Sequence, residues 1–76
     1  MSNRQSNPIA RVEGIAFSAR QAYLVAPFAI NKLSKLGRPV RLDLLLSGRV
    51  AFINSKEEAF NQMAHELRLA RSIPQH

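Results

Sequence analysis

Few residues in this chain have the types and spacing that catalysis or metal binding requires. His65 and Glu66 begin the pattern of the zinc motif H-E-x-x-H, but Leu69 occupies the position of the second histidine. The sequence contains two histidines and no cysteine, whereas structural zinc sites usually include thiolate ligands. The sequence therefore predicts neither a metal site nor a cofactor.

The serines, carboxylates and glycines also lack a catalytic pattern. No serine lies in a G-x-S-x-G elbow. Glu57 and Glu58 are better placed to stabilise a helix N-terminus than to act as an acid-base pair. A phosphate-binding loop needs several converging backbone amides, and the glycines here are isolated. We therefore predict a non-enzymatic binding protein without catalytic residues or a small-molecule substrate.

Positive charge is the pattern that most directly indicates a partner. The sequence has 11 Lys and Arg against 5 Asp and Glu, a net charge of +6. Concentrated positive charge attracts polyanions, and guanidinium groups suit phosphate oxygens. The function predicted first is therefore a small nucleic-acid-associated regulator that contacts the phosphates of DNA or RNA; the alternative for these charges is a solvated face with salt bridges such as Asp43 to Arg49. The candidate nucleic-acid-binding residues are Lys32, Lys35, Arg38, Arg41 and Arg49.

Several apolar residues fall outside the predicted core and indicate a second kind of partner. A domain of 76 residues buries only roughly 60% of its unfolded surface, so association would add stability. We predict a homodimer, formed by helix packing or strand addition. A further hypothesis is an inhibitor or adaptor that docks Leu24, Phe28, Lys32 and Lys35 on an acidic protein. The candidate interface residues form three pairs, Leu24 with Phe28, Leu45 with Ile53, and Leu69 with Ile73.

The central element that must position these residues is a β-hairpin between Arg38 and Asn54. A three-residue loop with Gly48 in the left-handed conformation would place Leu45 opposite Arg49. Arg41 and Arg49 would then share one face with Leu45 and Ile53. The opposite face would be core and would contain Val40, Leu42, Leu44, Val50 and Phe52.

Helical spacing flanks this hairpin on both sides. Ser18 and Gln21 form a capping-box pattern for a helix that Gly37 ends, with a kink or break expected at Pro27. Ser55 and Glu58 begin a second helix in the same way. Its predicted core stripe is Ala59, Phe60, Met63, Ala64, Leu67 and Ala70.

These elements predict a small α+β domain of order (β)-α-β-β-α over residues 9–73, between tails at 1–8 and 74–76. Ile9 to Phe17 is either a strand, which would make the sheet three-stranded, or an irregular lead-in. A helix-turn-helix over Pro39 to Leu46 is the alternative to the hairpin. With no apolar run long enough for a membrane span, no signal-peptide pattern and no cysteine, a cytoplasmic protein that does not enter membranes is expected.

Overall fold

The computed structural model describes residues 7–72, and it contains one antiparallel sheet of four strands in the order β2-β1-β3-β4. The predicted α+β class is confirmed, and the sheet is larger than predicted. Each β-hairpin is followed by helix, and the first strand of each hairpin lies at the centre of the sheet. The elements are β1 (Pro8–Val12), β2 (Ile15–Ser18), α1 (Ala19–Ala22), α2 (Ala26–Ser34), β3 (Val40–Leu44), β4 (Arg49–Ile53) and α3 (Lys56–Ser72).

The segment that was predicted as one strand or a lead-in folds into the hairpin β1–β2. Glu13 and Gly14 form its turn and have φ values of 51° and 89°. Two consecutive positive φ values match the right-handed twist of the flanking strands, which is why such turns favour glycine at the second position. Gly14 therefore reverses the chain. β1 begins at Pro8, one residue before the predicted start of the domain.

The β3–β4 hairpin exists as predicted, but its register is shifted by one residue. Leu44, not Leu45, lies opposite Arg49, and the loop between them has four residues. Because side chains alternate along a strand, this shift exchanges the two faces of β4. Ile53, predicted as an exposed interface residue, is 0% exposed, whereas Val50 and Phe52, predicted as core, are 50% and 61% exposed.

The predicted break at Pro27 is present and separates α1 from α2. Ser18 and Gln21 form the expected capping box. Pro27 lies in the first turn of α2, where its missing N–H costs no helical hydrogen bond. Gly37, at φ 93°, follows the end of α2. The break also explains why Tyr23 is exposed, since the two helices do not share one continuous face.

All three helices pack on one face of the sheet, and the other face is open to solvent. The buried hydrophobic residues form one cluster between sheet and helices. No helix within residues 7–72 is long and apolar enough to cross a membrane. The cluster consists of Ile9, Ala10, Val12, Phe17, Ala22, Ala26, Ile30, Val40, Leu42, Leu44, Ile53, Ala59 and Met63.

Candidate binding surfaces

Arg41 and Arg49 do not share a face, contrary to the prediction. Arg41 lies on the open face of the sheet, where its Nε is 2.9 Å from Oδ1 of Asp43. Arg49 lies opposite Leu44 on the helix side and donates to Oε1 of Gln62 at 2.8 Å. The predicted Asp43–Arg49 salt bridge is therefore wrong, because the shifted register puts these two residues on opposite faces.

The open face of the sheet carries balanced charge. Arg11 on β1 lies directly opposite Asp43 on β3. The amide of Arg41 donates to Oε2 of Glu13 at 2.8 Å, which brings a second carboxylate to the same edge. Two arginines are thus accompanied by two carboxylates, and this face has little excess positive charge to offer a polyanion.

The remaining predicted cations lie along α2 and the chain that follows it. Lys32 and Lys35 are exposed at the end of this helix, and Arg38 is exposed in the connection to β3. The five predicted nucleic-acid-binding residues are therefore divided among three locations. Only Lys32, Lys35 and Arg38 stay together, because they are close along the chain.

The predicted interface residues are also divided. Leu24 and Phe28 are 67% and 55% exposed, at the start of α2. Leu45 and Leu69 are half-buried. Ile73 lies outside the described residues, and Ile53 belongs to the core, as described above. Leu24 and Phe28 are thus the predicted pair that the structure leaves exposed to a partner.

An aromatic cluster extends this exposed pair across to α3. The ring of Phe60 is 5.4 Å from that of Tyr23 and 6.3 Å from that of Phe28, both in edge-on geometry. Nζ of Lys56 lies 4.6 Å from the centroid of the Phe28 ring, within cation–π distance. Sequence reasoning missed Lys56 and Tyr23, since their proximity to Phe28 depends on how two helices pack. We call Leu24, Phe28, Lys32, Lys35 and Lys56 together the basic–apolar surface.

A groove continues from this cluster toward the C-terminal half of α3. Its volume is about 370 Å³, and Tyr23, whose ring contacts that of Phe60, is one of its lining residues. Arg68 and Arg71 add two more cations beside the apolar lining. The remaining lining residues are Ala64 and Leu67. The helix layer therefore combines exposed apolar side chains with positive charge over a longer distance than α2 alone.

Glu66 is a third residue whose role the sequence did not reveal. It is fully buried on α3, and its Oε2 accepts hydrogen bonds from the amides of Leu46 and Ser47 at 2.6 and 3.0 Å. Its Oε1 accepts from the Ser47 hydroxyl at 3.0 Å. The carboxylate of Glu66 thus holds the β3–β4 loop against α3, which is a structural role.

Comparison of the chain with protein-family models, with curated proteins and with solved structures finds no match. Within residues 7–72, His, Asp and Glu side chains form no group of three that could hold a metal ion. Indications of function therefore come from the chemistry of the open face of the sheet and of the basic–apolar surface.

Proposed function

We propose that this protein is a non-enzymatic cytoplasmic binding module that docks its basic–apolar surface on an acidic partner protein, as an inhibitor or adaptor does. The observation that carries this proposal is the exposure of Leu24 and Phe28, at 67% and 55%, together with the Lys56 ammonium over the Phe28 ring. Burial of such side chains in an interface is favourable by roughly 25 cal/mol per Å² of apolar area. Leu24 and Phe28 would be the apolar anchors.

The lysines around these anchors favour an acidic partner. Lys32 follows Phe28 by one helical turn, Lys35 follows one turn later, and Lys56 reaches the Phe28 ring from α3. Glu57 and Glu58, both exposed in the first turn of α3, offset this charge only in part. A partner helix with an apolar stripe between Asp and Glu residues has the matching chemistry. Opposite charge would speed association and fix the orientation of the complex.

Nucleic acid is the second candidate, and the net charge of +6 favours it. Arg41 and Arg49 already bond Asp43 and Gln62, so Lys32, Lys35 and Arg38 would make most of the phosphate contacts. Contacts of this kind position a protein on the backbone without reading sequence. Phosphates would, however, leave Leu24 and Phe28 uncovered, and we therefore rank a protein partner first.

Capture of partners from a nuclease-treated lysate tests the proposal when wild type is compared with Phe28→Asp. We expect wild type to retain a protein that Phe28→Asp loses, with the variant still folded by circular dichroism. Ile15→Asp is the matched control, since Ile15 is equally exposed, at 64%, but lies on β2. The control should retain the partner. Capture that disappears on nuclease treatment would favour nucleic acid, and equal losses in both variants would reject this surface.

A further inference from the structure

The orientation of the β3 backbone determines which backbone N–H and C=O groups of the neighbouring strand β4 form no hydrogen bond within the sheet. The amide of Glu13 donates to the carbonyl of Arg41 at 3.0 Å, so the backbone groups of Arg41 point toward β1. Because the N–H and C=O groups of successive residues point to opposite sides of a strand, those of Val40 and Leu42 point toward β4. These residues pair with Ile53 and Ala51.

The same alternation leaves Val50 and Phe52 with backbone groups that point away from β3. β4 is an edge strand, so no other strand of the sheet satisfies those groups. The side chains of Val50 and Phe52 lie on the open face and are mostly exposed. The strand, RVAFI, contains neither the proline nor the lysine that commonly protects an edge from pairing. One strand thus combines free hydrogen-bonding groups with exposed apolar side chains.

We infer that β4 pairs with β4 of a second copy of this chain, antiparallel and centred on Ala51. In this register Val50 of one copy lies opposite Phe52 of the other, and the free backbone groups of these residues meet as hydrogen-bonded pairs. Ala51 meets its own counterpart as the non-hydrogen-bonded pair at the twofold axis. Two sheets of four strands become one continuous sheet of eight.

The match between apolar side chains supports a second copy as the occupant. Within each chain Asp43 lies opposite Val50, and Arg41 lies opposite Phe52. Across the twofold axis each row on the open face therefore runs Asp43, Val50, Phe52, Arg41, with the last two from the second copy. Apolar side chains meet at the centre of the row, and opposite charges lie at its two ends. A second copy of β4 thus supplies both the hydrogen-bonding groups and the apolar side chains that β4 lacks as an edge strand.

The opposite edge of the sheet lacks these features. On β2 the open face presents Ala16, a small side chain, opposite Arg11. The pairing of β1 with β2 is also irregular between Pro8 and Ala10, which disturbs the strand geometry near that edge. The inference therefore concerns β4 alone. It is independent of the proposed function, which uses the helix layer on the other side of the sheet.

A cysteine at the twofold axis gives the sharpest test, because the chain contains no other cysteine. The Cα atoms of a non-hydrogen-bonded antiparallel pair are roughly 4.5 Å apart, which lies within the range for a disulfide. We expect Ala51→Cys to form a disulfide-linked dimer under mild oxidation much faster than Ala16→Cys, the control on β2. Equal cross-linking rates for the two variants would overturn the inferred register.

Sedimentation equilibrium of the unmodified chain supplies the second measurement. The two apolar residues contributed by each copy make a small interface, so we expect a concentration-dependent dimer with a micromolar Kd. Phe52→Lys should weaken this dimer at least tenfold, because it replaces the apolar side chain that meets Val50 of the other copy with a cation directly opposite Arg41. Phe28→Asp should leave the dimer unchanged. A wild-type chain that stays monomeric at high micromolar concentration would reject the inference, as would a dimer that Phe52→Lys does not weaken.

Discussion

At the scale of single residues, Glu66 has the largest structural role for one polar side chain. Three donors from the β3–β4 loop converge on its buried carboxylate. Hydrogen bonds to a charged acceptor are stronger than those between neutral groups, and their loss leaves buried donors unsatisfied. Because this loop sets the register of β4, the carboxylate on α3 helps to decide which residues of a distant strand are core.

We expect Glu66→Ala to lower the free energy of unfolding by roughly 2–4 kcal/mol, since it removes a buried charged acceptor from three part-buried hydrogen bonds. Glu66→Gln should cost less, because it keeps one acceptor oxygen and the side-chain volume. Urea denaturation followed by circular dichroism measures both. Glu57→Ala, an exposed change in the same helix, is the control and should cost about 0.5 kcal/mol. An effect of Glu66→Ala no larger than that would contradict the role given to this residue.

Arg41 and Arg49 differ from Glu66, because their hydrogen bonds lie in solvent and contribute little to stability. The Arg41 side chain is 58% exposed and pairs with Asp43 at 2.9 Å. We expect the double change Arg41→Ala and Arg49→Ala to alter the free energy of unfolding by less than about 1 kcal/mol, because solvent screens such pairs. Thermal unfolding at low and moderate salt would check this. A larger loss would mean that the bonds to Asp43 and Gln62 stabilise the fold.

Residue patterns predicted some of these roles and not others. The capping pairs Ser18–Gln21 and Ser55–Glu58 were recognisable because capping is local. The first box is complete; in the second, the Ser55 hydroxyl accepts from the Glu58 amide, and the Glu58 side chain accepts from the amide of Asn54. The contacts of Glu66 and Lys56 could not be predicted in that way. Each of these contacts joins residues that are distant in sequence. The helical spacing of apolar residues, moreover, assigns any glutamate to the solvent-facing side of a helix.

At the scale of elements, the largest difference between the predicted and the observed structure is the register of the β3–β4 hairpin, and it comes from one extra residue in the loop. The sequence favoured a three-residue loop at Gly48, and Gly48 does have a positive φ of 71°. The loop nevertheless has four residues, because Leu44 pairs with Arg49 and the amide of Leu45 donates to the carbonyl of Ile9 on β1 instead. The strand positions were therefore predictable from sequence, and the faces of β4 were not.

Core substitutions in β4 test the observed register directly. We expect Ile53→Ala to lower the free energy of unfolding by roughly 2–5 kcal/mol, since Ile53 is fully buried and its removal leaves a cavity. Phe52→Ala removes a larger side chain, yet it should cost less than about 1 kcal/mol in the monomer. Urea denaturation at low micromolar concentration, where association is weakest, gives both values. The reverse order of the two losses would restore the register expected from sequence.

At the scale of the whole molecule, charge is distributed unequally between the two sides. The open face of the sheet carries Arg11 and Arg41 with the carboxylates of Asp43 and Glu13, whereas the helix layer has more lysines than carboxylates around Phe28. The net charge of +6 was evident from composition. Its location was not, because that depends on which side of the sheet each element occupies.

This asymmetry predicts two separable effects on binding to the proposed partner. We expect Lys32→Gln with Lys35→Gln to reduce the association rate and the salt dependence of binding, since both arise from charge. Phe28→Ala should instead raise the dissociation rate at every salt concentration, because it removes an apolar anchor. Surface plasmon resonance with the captured partner at several salt concentrations distinguishes them. An identical salt dependence for wild type and the lysine variant would contradict electrostatic steering.

The arrangement of the two hairpins has a consequence for the order of assembly during synthesis. β1 and β2 can pair as soon as they are made, but β1 also requires β3, which is joined to it by pairs such as Val12 with Leu42. α3, the last of the described elements, contributes Met63 to the core and Glu66 to the β3–β4 loop. Because α1 contacts both strands of the first hairpin and α3 also contacts β1, a nascent chain leaves part of the apolar side of that hairpin uncovered until α3 has been translated. During that interval a chaperone or a neighbouring nascent chain has access to it.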